Sequence, residues 1–354
     1  MAKTTSLPGR TTSINNKEYL YFSGTSYLGI SHNQAFRELL FEGMNLYGSN
    51  FSSSRISNLQ LAIFEEAENY LSEFIGTGSA LTVSSGFLAG KILIEYLKGR
   101  GKFIYAPNTH PALTHTNSDF YSGDFDDWVE NLIVYLKEEQ EDVFLISNSV
   151  DPLYAKPTSF DWISKLPKDK RITLIIDDSH GLGIIGEEGQ GIFQRLSKTT
   201  EVDIVIVGSL GKALGIPGGV IAGSKKLIEG LKMTSAFGGS SPIIPAYLHA
   251  FTNAGEVYKE ARKKLRKNIN YFINLLPKWS MFSFLPDFPV FYTQDQKLYN
   301  FLFSKDILIS SFPYPTPQDL PITRIVINAL HEKEDLEKLS SILNRGNQFD
   351  ARNL

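Results

Sequence analysis

Three residue types that recur in imine chemistry stand at the ends of apolar runs in this chain. Lys212 lies in IVIVGSLGKALGIPGG (204–219), where a β-branched run gives way to a serine, a Gly-Lys pair and a glycine-rich turn. Upstream, ITLIIDDSHGLG (172–183) ends in Asp177, Asp178 and His180. A lysine amine forms a Schiff base, a carboxylate keeps a ring nitrogen protonated, and an imidazole meets a ring hydroxyl. Glycines and hydroxyls around them suit a phosphate. These are the parts that hold pyridoxal phosphate, so the pattern points to a reaction class and not to one substrate.

Each residue also has a plainer reading. A lysine beside a glycine is ordinarily a solvated loop residue; here it follows a buried-type strand and precedes a glycine-rich turn. Ser209 and Lys212 make an S-x-x-K pattern, but the chain has no K-T-G strand or S-D-N loop to go with it. A phosphate loop of the Walker kind fails, because position 206 is Ile and Ala213 follows the lysine. Asp177 alone would pass as a helix cap. Gly181, Gly183 and Gly186 spell G-x-G-x-x-G, yet more turn residues follow instead of a helix, which argues against a dinucleotide.

Four further places carry candidates. SSGF (84–87) joins a strand to a helix, so Ser85, Gly86 and Phe87 make either a phosphate site on free amides or an ordinary turn. His110, in NTHPAL, follows another strand; imidazole stacks flat on a pyridine ring, though a lone histidine is more often structural. His110 and His115 are five apart, which does not suit one helix face, and no third ligand accompanies them, so no metal is expected. Arg324, in ITRIVINALH, has the residue type that grips a carboxylate bidentately, with a surface ion pair as the plain alternative. Arg55 is a weaker case of the same kind.

The elements that position these residues alternate. SALTV (79–83), KFIYA (102–106), DVFLIS (142–147), ITLII (172–176), DIVIVG (203–208) and GVIAG (219–223) read as strands separated by helical patterns. Continuous apolar strands of this kind make a buried, mostly parallel sheet. The reactive residues fall just past strand C-termini, where open α/β sheets bind ligands. Residues 243–276 read as one long helix, followed by a smaller α+β region. The expected division is an N-terminal segment 1–45, a large cofactor-binding domain 46–242 and a small domain 243–354.

The 354 residues are 42% apolar, enough for two cores, and the net charge is −3 with no basic stripe, which argues against nucleic acid. Cysteine is absent, excluding disulfides and thiolate metal sites. No long apolar run marks a leader or a membrane span, and a cytoplasmic location is expected.

Taken together, the motifs resemble those of the α-oxoamine synthases, fold-type-I pyridoxal-phosphate enzymes, from about Tyr19 to Leu339. The family's F-S-x-N-x-Y-L-G appears as FSGTSYLG (22–29), its S-G-(F/Y)-x-A-N as SGFLAG (85–90), and its N-H-A-S as THPA (109–112). D-(D/E)-(A/S)-H-x-x-G appears as DDSHGLG (177–183), and T-(F/L)-(S/G)-K-x-x-G as SLGKALG (209–215). The resemblance implies Lys212 as Schiff-base lysine, Asp177 at the pyridine nitrogen, His180 at the ring hydroxyl and His110 stacked on the ring. It implies Ser179 packed on the ring, Ser149 near its hydroxyl and Ser209 on the phosphate. Arg324 would take the amino-acid carboxylate, and Thr25 stands where the family has a substrate-side asparagine.

The substrate shell departs from the family more than the cofactor core does. Besides Thr25, Gly90 replaces the asparagine of S-G-F-x-A-N, and SNFSSSRIS replaces a glycine-rich loop. The family's phosphate-binding pair from the neighbouring subunit aligns with Gly239 and Ser240. The resemblance implies a homodimer that condenses an amino acid, alanine or glycine, with an acyl-CoA thioester, losing CoA and the carboxylate to give an aminoketone. The alternatives are another fold-type-I reaction, such as transamination or aldol cleavage, and a non-catalytic partner subunit.

Overall fold

The computed structural model describes residues 3–115, 124–151, 153–154, 159–200, 202–276, 281–314 and 316–350. In chain order it opens with β1 (Thr11–Ile14), β2 (Lys17–Phe22), α1 (Gln34–Tyr47), α2 (Ala62–Ile75) and β3 (Ser79–Val83). Next come α3 (Gly86–Leu97), β4 (Lys102–Tyr105), α4 (Phe125–Glu138), β5 (Val143–Asn148), β6 (Ile172–Asp177) and α5 (Phe193–Leu196). The middle ends with β7 (Asp203–Ser209), β8 (Gly219–Gly223), α6 (Lys225–Lys232), α7 (Ser235–Gly239) and α8 (Pro245–Asn253). The last part holds α9 (Gly255–Leu275), β9 (Ser283–Phe284), β10 (Val290–Thr293), α10 (Lys297–Phe303), β11 (Ile307–Pro313), β12 (Pro321–Val326) and α11 (Lys333–Asp350).

Each apolar run of the middle region becomes a strand of one six-stranded sheet, ordered β3-β8-β7-β6-β5-β4. Strands β4 to β7 pair in parallel, and β8 runs against both β7 and β3. The sheet is therefore mostly parallel with helices on both faces, the α/β class expected. Its strands are buried on both sides, which is why they read as continuous apolar runs. Leu145, Ile146, Leu174, Ile175, Ile176 and Ile206 are fully buried, each contributing about 1.5–3 kcal/mol of burial.

Helix α3 crosses this sheet and begins at the site. Ser85 caps it with an extended backbone, and its hydroxyl accepts from Leu88 N. Its Ala89, Ile92, Leu93 and Leu97 enter the same apolar cluster as Leu81, Ile175, Val205 and Ile221.

The chain divides into two compact units, residues 34–150 with 158–255, and residues 1–33 with 151–157 and 256–354. The second unit has its own six-stranded sheet, β1-β2-β11-β12-β10-β9. Here β2 pairs in parallel with β11 and every other pairing is antiparallel. The N-terminal hairpin is thus an edge of the sheet built by the C-terminal residues. One element differs from the sequence expectation: the helix read over 243–276 is two helices. The backbone leaves helical geometry at Ala254, before Gly255, a residue with poor helix propensity.

Candidate active site

Strands β3, β5, β6 and β7 end on one edge of the first sheet, and β8 begins there because it alone is reversed. That edge gathers Ser85 to Phe87, Ser149, Asp177 to His180 and Ser209 to Lys212. His110 joins them from the loop after β4.

The start of α3 forms a cradle against β7 and β8. The Ser85 hydroxyl accepts from Leu88 N at 3.1 Å and Ala89 N donates to Ser85 O, so the cap satisfies the third and fourth amides of the turn. Gly86 N and Phe87 N have no intrahelical acceptor, leaving two donors at the positive end of the helix dipole. The approach is close enough to demand glycine. A Cβ on Gly86 would lie 2.7 Å from Ser209 Cβ, and one on Gly219 would lie 2.3 Å from Ser85 O. Phe87 is 56% exposed. Ser209 borders the cradle, its hydroxyl accepting from Gly211 N at 3.3 Å.

Asp177 ends β6, and Lys212 lies in the loop after the neighbouring β7. Asp177 pairs in register with Val207, is half-buried, and accepts from Ser179 N at 2.9 Å. Ser179 is buried, and its hydroxyl accepts from Ser209 N at 2.8 Å, bonding the end of β6 to that of β7. Lys212 is half-buried in a loop closed by Leu210 N to Gly218 O and Ile216 N to Leu210 O. His180 follows on the turn after β6, also half-buried.

His110 caps a short 3₁₀ turn, Pro111–Leu113, and its Nδ1 accepts from Ala112 N at 3.1 Å. Nδ1 therefore carries no proton, and the neutral ring holds its proton on Nε2. Burial pushes the imidazole's pKa down; nearby Lys212 and Lys91 push the same way, and Asp177 opposes them. Asp177, Lys212 and His110 thus share one electrostatic neighbourhood.

Asp178, next to Asp177, is a different kind of carboxylate. It is fully buried, and desolvation pushes its pKa up to about 7 against the Ile192 amide and the Ser149 side chain. Ile192 N donates to Oδ2 at 2.8 Å, while the buried Ser149 hydroxyl faces the carboxylate without closing a well-formed hydrogen bond. Asp178 anchors the glycine-rich turn 181–191 to the sheet. Sequence reading gave it no role, since burial and not residue type sets it apart.

Other expected residues belong to other elements. Ser240 ends α7, its hydroxyl donating to Phe237 O at 2.9 Å. Arg55 is taken up by an internal ion pair: its side chain is buried, bonded to Glu68 at 2.9 Å and set 4.3 Å from the Phe64 ring centroid. Thr25 and Arg324 belong to the second unit. Arg324 is on β12, 7% exposed, and within electrostatic reach of the buried Tyr27 phenol, two residues from Thr25. His331, which closes the same motif, is structural. It stacks on Phe22, bonds Tyr21 O at 3.0 Å, and burial lowers its pKa to about 4. No group of side chains suited to a metal occurs among the described residues, and none of their helices is long and apolar enough to cross a membrane.

The edge fits pyridoxal phosphate. Two open amides and a serine suit a phosphate, a half-buried carboxylate ends β6, a lysine lies in the loop after the neighbouring β7, and a neutral imidazole flanks them. The aminotransferase class I and II family matches over residues 49–343. An 8-amino-7-oxononanoate synthase of Petrotoga mobilis is 30% identical over 351 residues, covering 94% of this chain and 89% of that one. The enzyme of the same name from Thermoanaerobacter pseudethanolicus is 27% identical, covering 92% and 86%. Among solved structures, a Sphingomonas wittichii serine palmitoyltransferase superposes with a TM-score of 0.82 at 18% identity, covering 97% of this chain and 90% of that one. An 8-amino-7-oxononanoate synthase from Francisella tularensis gives 0.71 at 20% identity, covering 94% and 99%. At those identities the solved structures share the fold.

Proposed function

The chain belongs to the aminotransferase class I and II family, whose cofactor is pyridoxal phosphate, and from that premise we propose an acyltransferase of the α-oxoamine synthase kind. It condenses an amino acid, alanine or glycine, with an acyl-CoA thioester, releasing CoA and carbon dioxide and leaving an aminoketone, the kind of product for which its relatives, the 8-amino-7-oxononanoate synthases, are named. The observation that carries this is the placing of Asp177 at the end of β6 and Lys212 in the loop after the neighbouring β7, beside the open amides of α3.

Pyridoxal phosphate, when bound, supplies an electron sink for the pair left at the amino acid's α-carbon. The chain's own groups do the rest. The amides of Gly86 and Phe87 with Ser209 hold the phosphate. Asp177 keeps a proton on the ring nitrogen, and His180 bonds the ring hydroxyl. His110, neutral and flat, covers one face. Lys212 Nζ would hold the cofactor at its carbonyl carbon and, once displaced by the amino acid, would serve as base, taking the α-proton and returning it. Arg324 grips the substrate carboxylate, and Thr25 borders the substrate.

A homodimer is part of this reading. Phe41, Ile56, Leu59, Phe87 and Met233, all of the first unit, are 56–87% exposed, an apolar set suited to a second copy. Ser240 would then serve the partner's phosphate. A cytoplasmic location, where acyl-CoA is supplied, goes with it. The test is the absorption spectrum of the purified protein and of Lys212→Ala, followed by CoA release with alanine and with glycine. A Schiff-base band at about 420 nm, lost in the variant, is expected, with CoA released. Keto-acid exchange without CoA release would move the reading to a transaminase, and no band in reconstituted protein would end the enzymatic reading.

A further inference from the structure

Helix α3 is apolar except for Lys91 and Glu95, and Lys91 is its only basic residue. The Lys91 ammonium donates to Pro111 O and to Thr114 O, both at 2.9 Å, and stands 5.4 Å from the Phe87 ring centroid. Those two carbonyls belong to the turn that His110 caps. Beside it, Gly90 lets helix and turn touch: a Cβ there would lie 2.8 Å from Ala112 O and 3.0 Å from Ala112 Cβ. Ala112 is the residue whose amide bonds His110 Nδ1. On the other side, Asn148 Nδ2 donates to Asn108 O at 2.7 Å. The His110 loop is thus clamped from both flanks, and on the α3 side a Gly-Lys pair does the clamping.

We propose that Lys91, with Gly90, is a positioning residue for His110: it ties the Pro111–Thr114 turn to α3 and so fixes the imidazole's orientation and tautomer beside Lys212 and Asp177. This rests on the reading of His110 as the group that covers the cofactor ring. A lysine bonded to two carbonyls makes charge-assisted hydrogen bonds that neutral groups do not match. Its charge acts on the imidazole as well. Among the described residues, the charged groups facing His110 are Asp177, Lys212 and Lys91, and two of the three oppose protonation. Removing Lys91 loosens the turn, admits water and deletes one cation, and all three changes raise the pH at which His110 titrates.

The experiment is histidine-labelled NMR of the full chain, before and after addition of pyridoxal phosphate, with the His110 signal assigned through His110→Gln. Lys91→Met is expected to move the His110 titration to higher pH and to weaken pyridoxal-phosphate binding about tenfold. Lys91→Arg, which reaches the same carbonyls with a charged donor, is expected to return both toward wild type. Gly90→Ala is expected to weaken binding while the charge stays. An unchanged His110 titration in Lys91→Met overturns the proposal, even if binding weakens, because Lys91 would then act on the anion directly. A wild type that binds no pyridoxal phosphate ends the functional reading above, while the His110 titration still decides the clamp.

Discussion

The two edges of the first unit's sheet are made by the same strands and offer different things to a ligand. At the edge where β6 and β7 end, the ionisable groups Asp177, His180 and Lys212 are half-buried, and the helix that starts there leaves two amides without acceptors. At the edge where β5, β6 and β7 begin lies a cavity of about 790 Å³, bordered by Lys168, Lys170, Arg171 and Lys198 with Asp142 and Asp203. Its charges face water, each other or a backbone carbonyl. Arg171, 86% exposed, pairs with Asp142 at 2.8 Å, and Lys170 donates to Glu139 O at 2.8 Å. Room and positive charge are thus also present at the edge away from Asp177, His180 and Lys212. Groups partly withdrawn from water, and backbone donors left open by the fold, mark the working edge.

The sharpest test of that contrast is Asp177→Asn. The substitution keeps the shape and the bond from Ser179 N but removes the charge proposed to face the ring nitrogen. Activity is expected to fall about 10³-fold or more, with the cofactor still bound, measured as kcat/KM for CoA release. Retention of activity within tenfold would mean that the half-buried carboxylate is not what distinguishes this edge.

Asp178 sharpens the contrast within the working edge, because it is buried where its neighbour is half-open. Between about pH 4 and pH 7 the unfolded chain has released this proton and the folded chain still holds it. The folded state then binds more protons, so stability falls as pH rises through that window. Against Asp178→Asn, whose amide does not titrate, wild type is expected to lose roughly 4 kcal/mol between those limits, read from urea unfolding at stepped pH. A constant difference between the two proteins would show that the carboxylate stays charged and is otherwise compensated.

What the sequence disclosed follows the same division. Strand runs, the SSGF turn into a helix and the order Asp177, His180, Lys212 are local patterns, and β5, β6 and β7 stand within a residue of where their apolar runs predict. Contacts between elements were not legible. Nothing in SNFSSSRIS says that Arg55 turns inward to Glu68, and nothing in SGFLAG says that Gly90 and Lys91 meet the His110 turn. The register that puts β2 beside β11 joins residues far apart in the chain and leaves no mark in either segment. Asp178 looked like Asp177 because residue type does not record burial.

The cradle's fit is tested by Gly219→Ala. The new methyl meets Ser85 O at 2.3 Å, a backbone atom held by the helix cap, so the start of α3 must move. Overpacking of this kind costs about 2 kcal/mol, and the phosphate donors shift with it. A lower midpoint together with weaker pyridoxal-phosphate binding is expected. A lower midpoint with unchanged binding would separate the cradle from the anion it is proposed to hold.

The smallest expected effect is also the one able to break the comparison. Lys170→Met with Arg171→Met removes two cations and the bonds to Glu139 O and Asp142 at the opposite edge. Arg171 is largely exposed, and an exposed pair contributes little because water and salt screen it. The double variant is expected to keep the cofactor band and turnover within about twofold and the unfolding midpoint within about 2 °C. A tenfold loss of turnover with the midpoint unchanged would mean that the cavity at the strand N-termini takes part in the reaction. The edges of this sheet would then differ in what they bind and not in whether they bind.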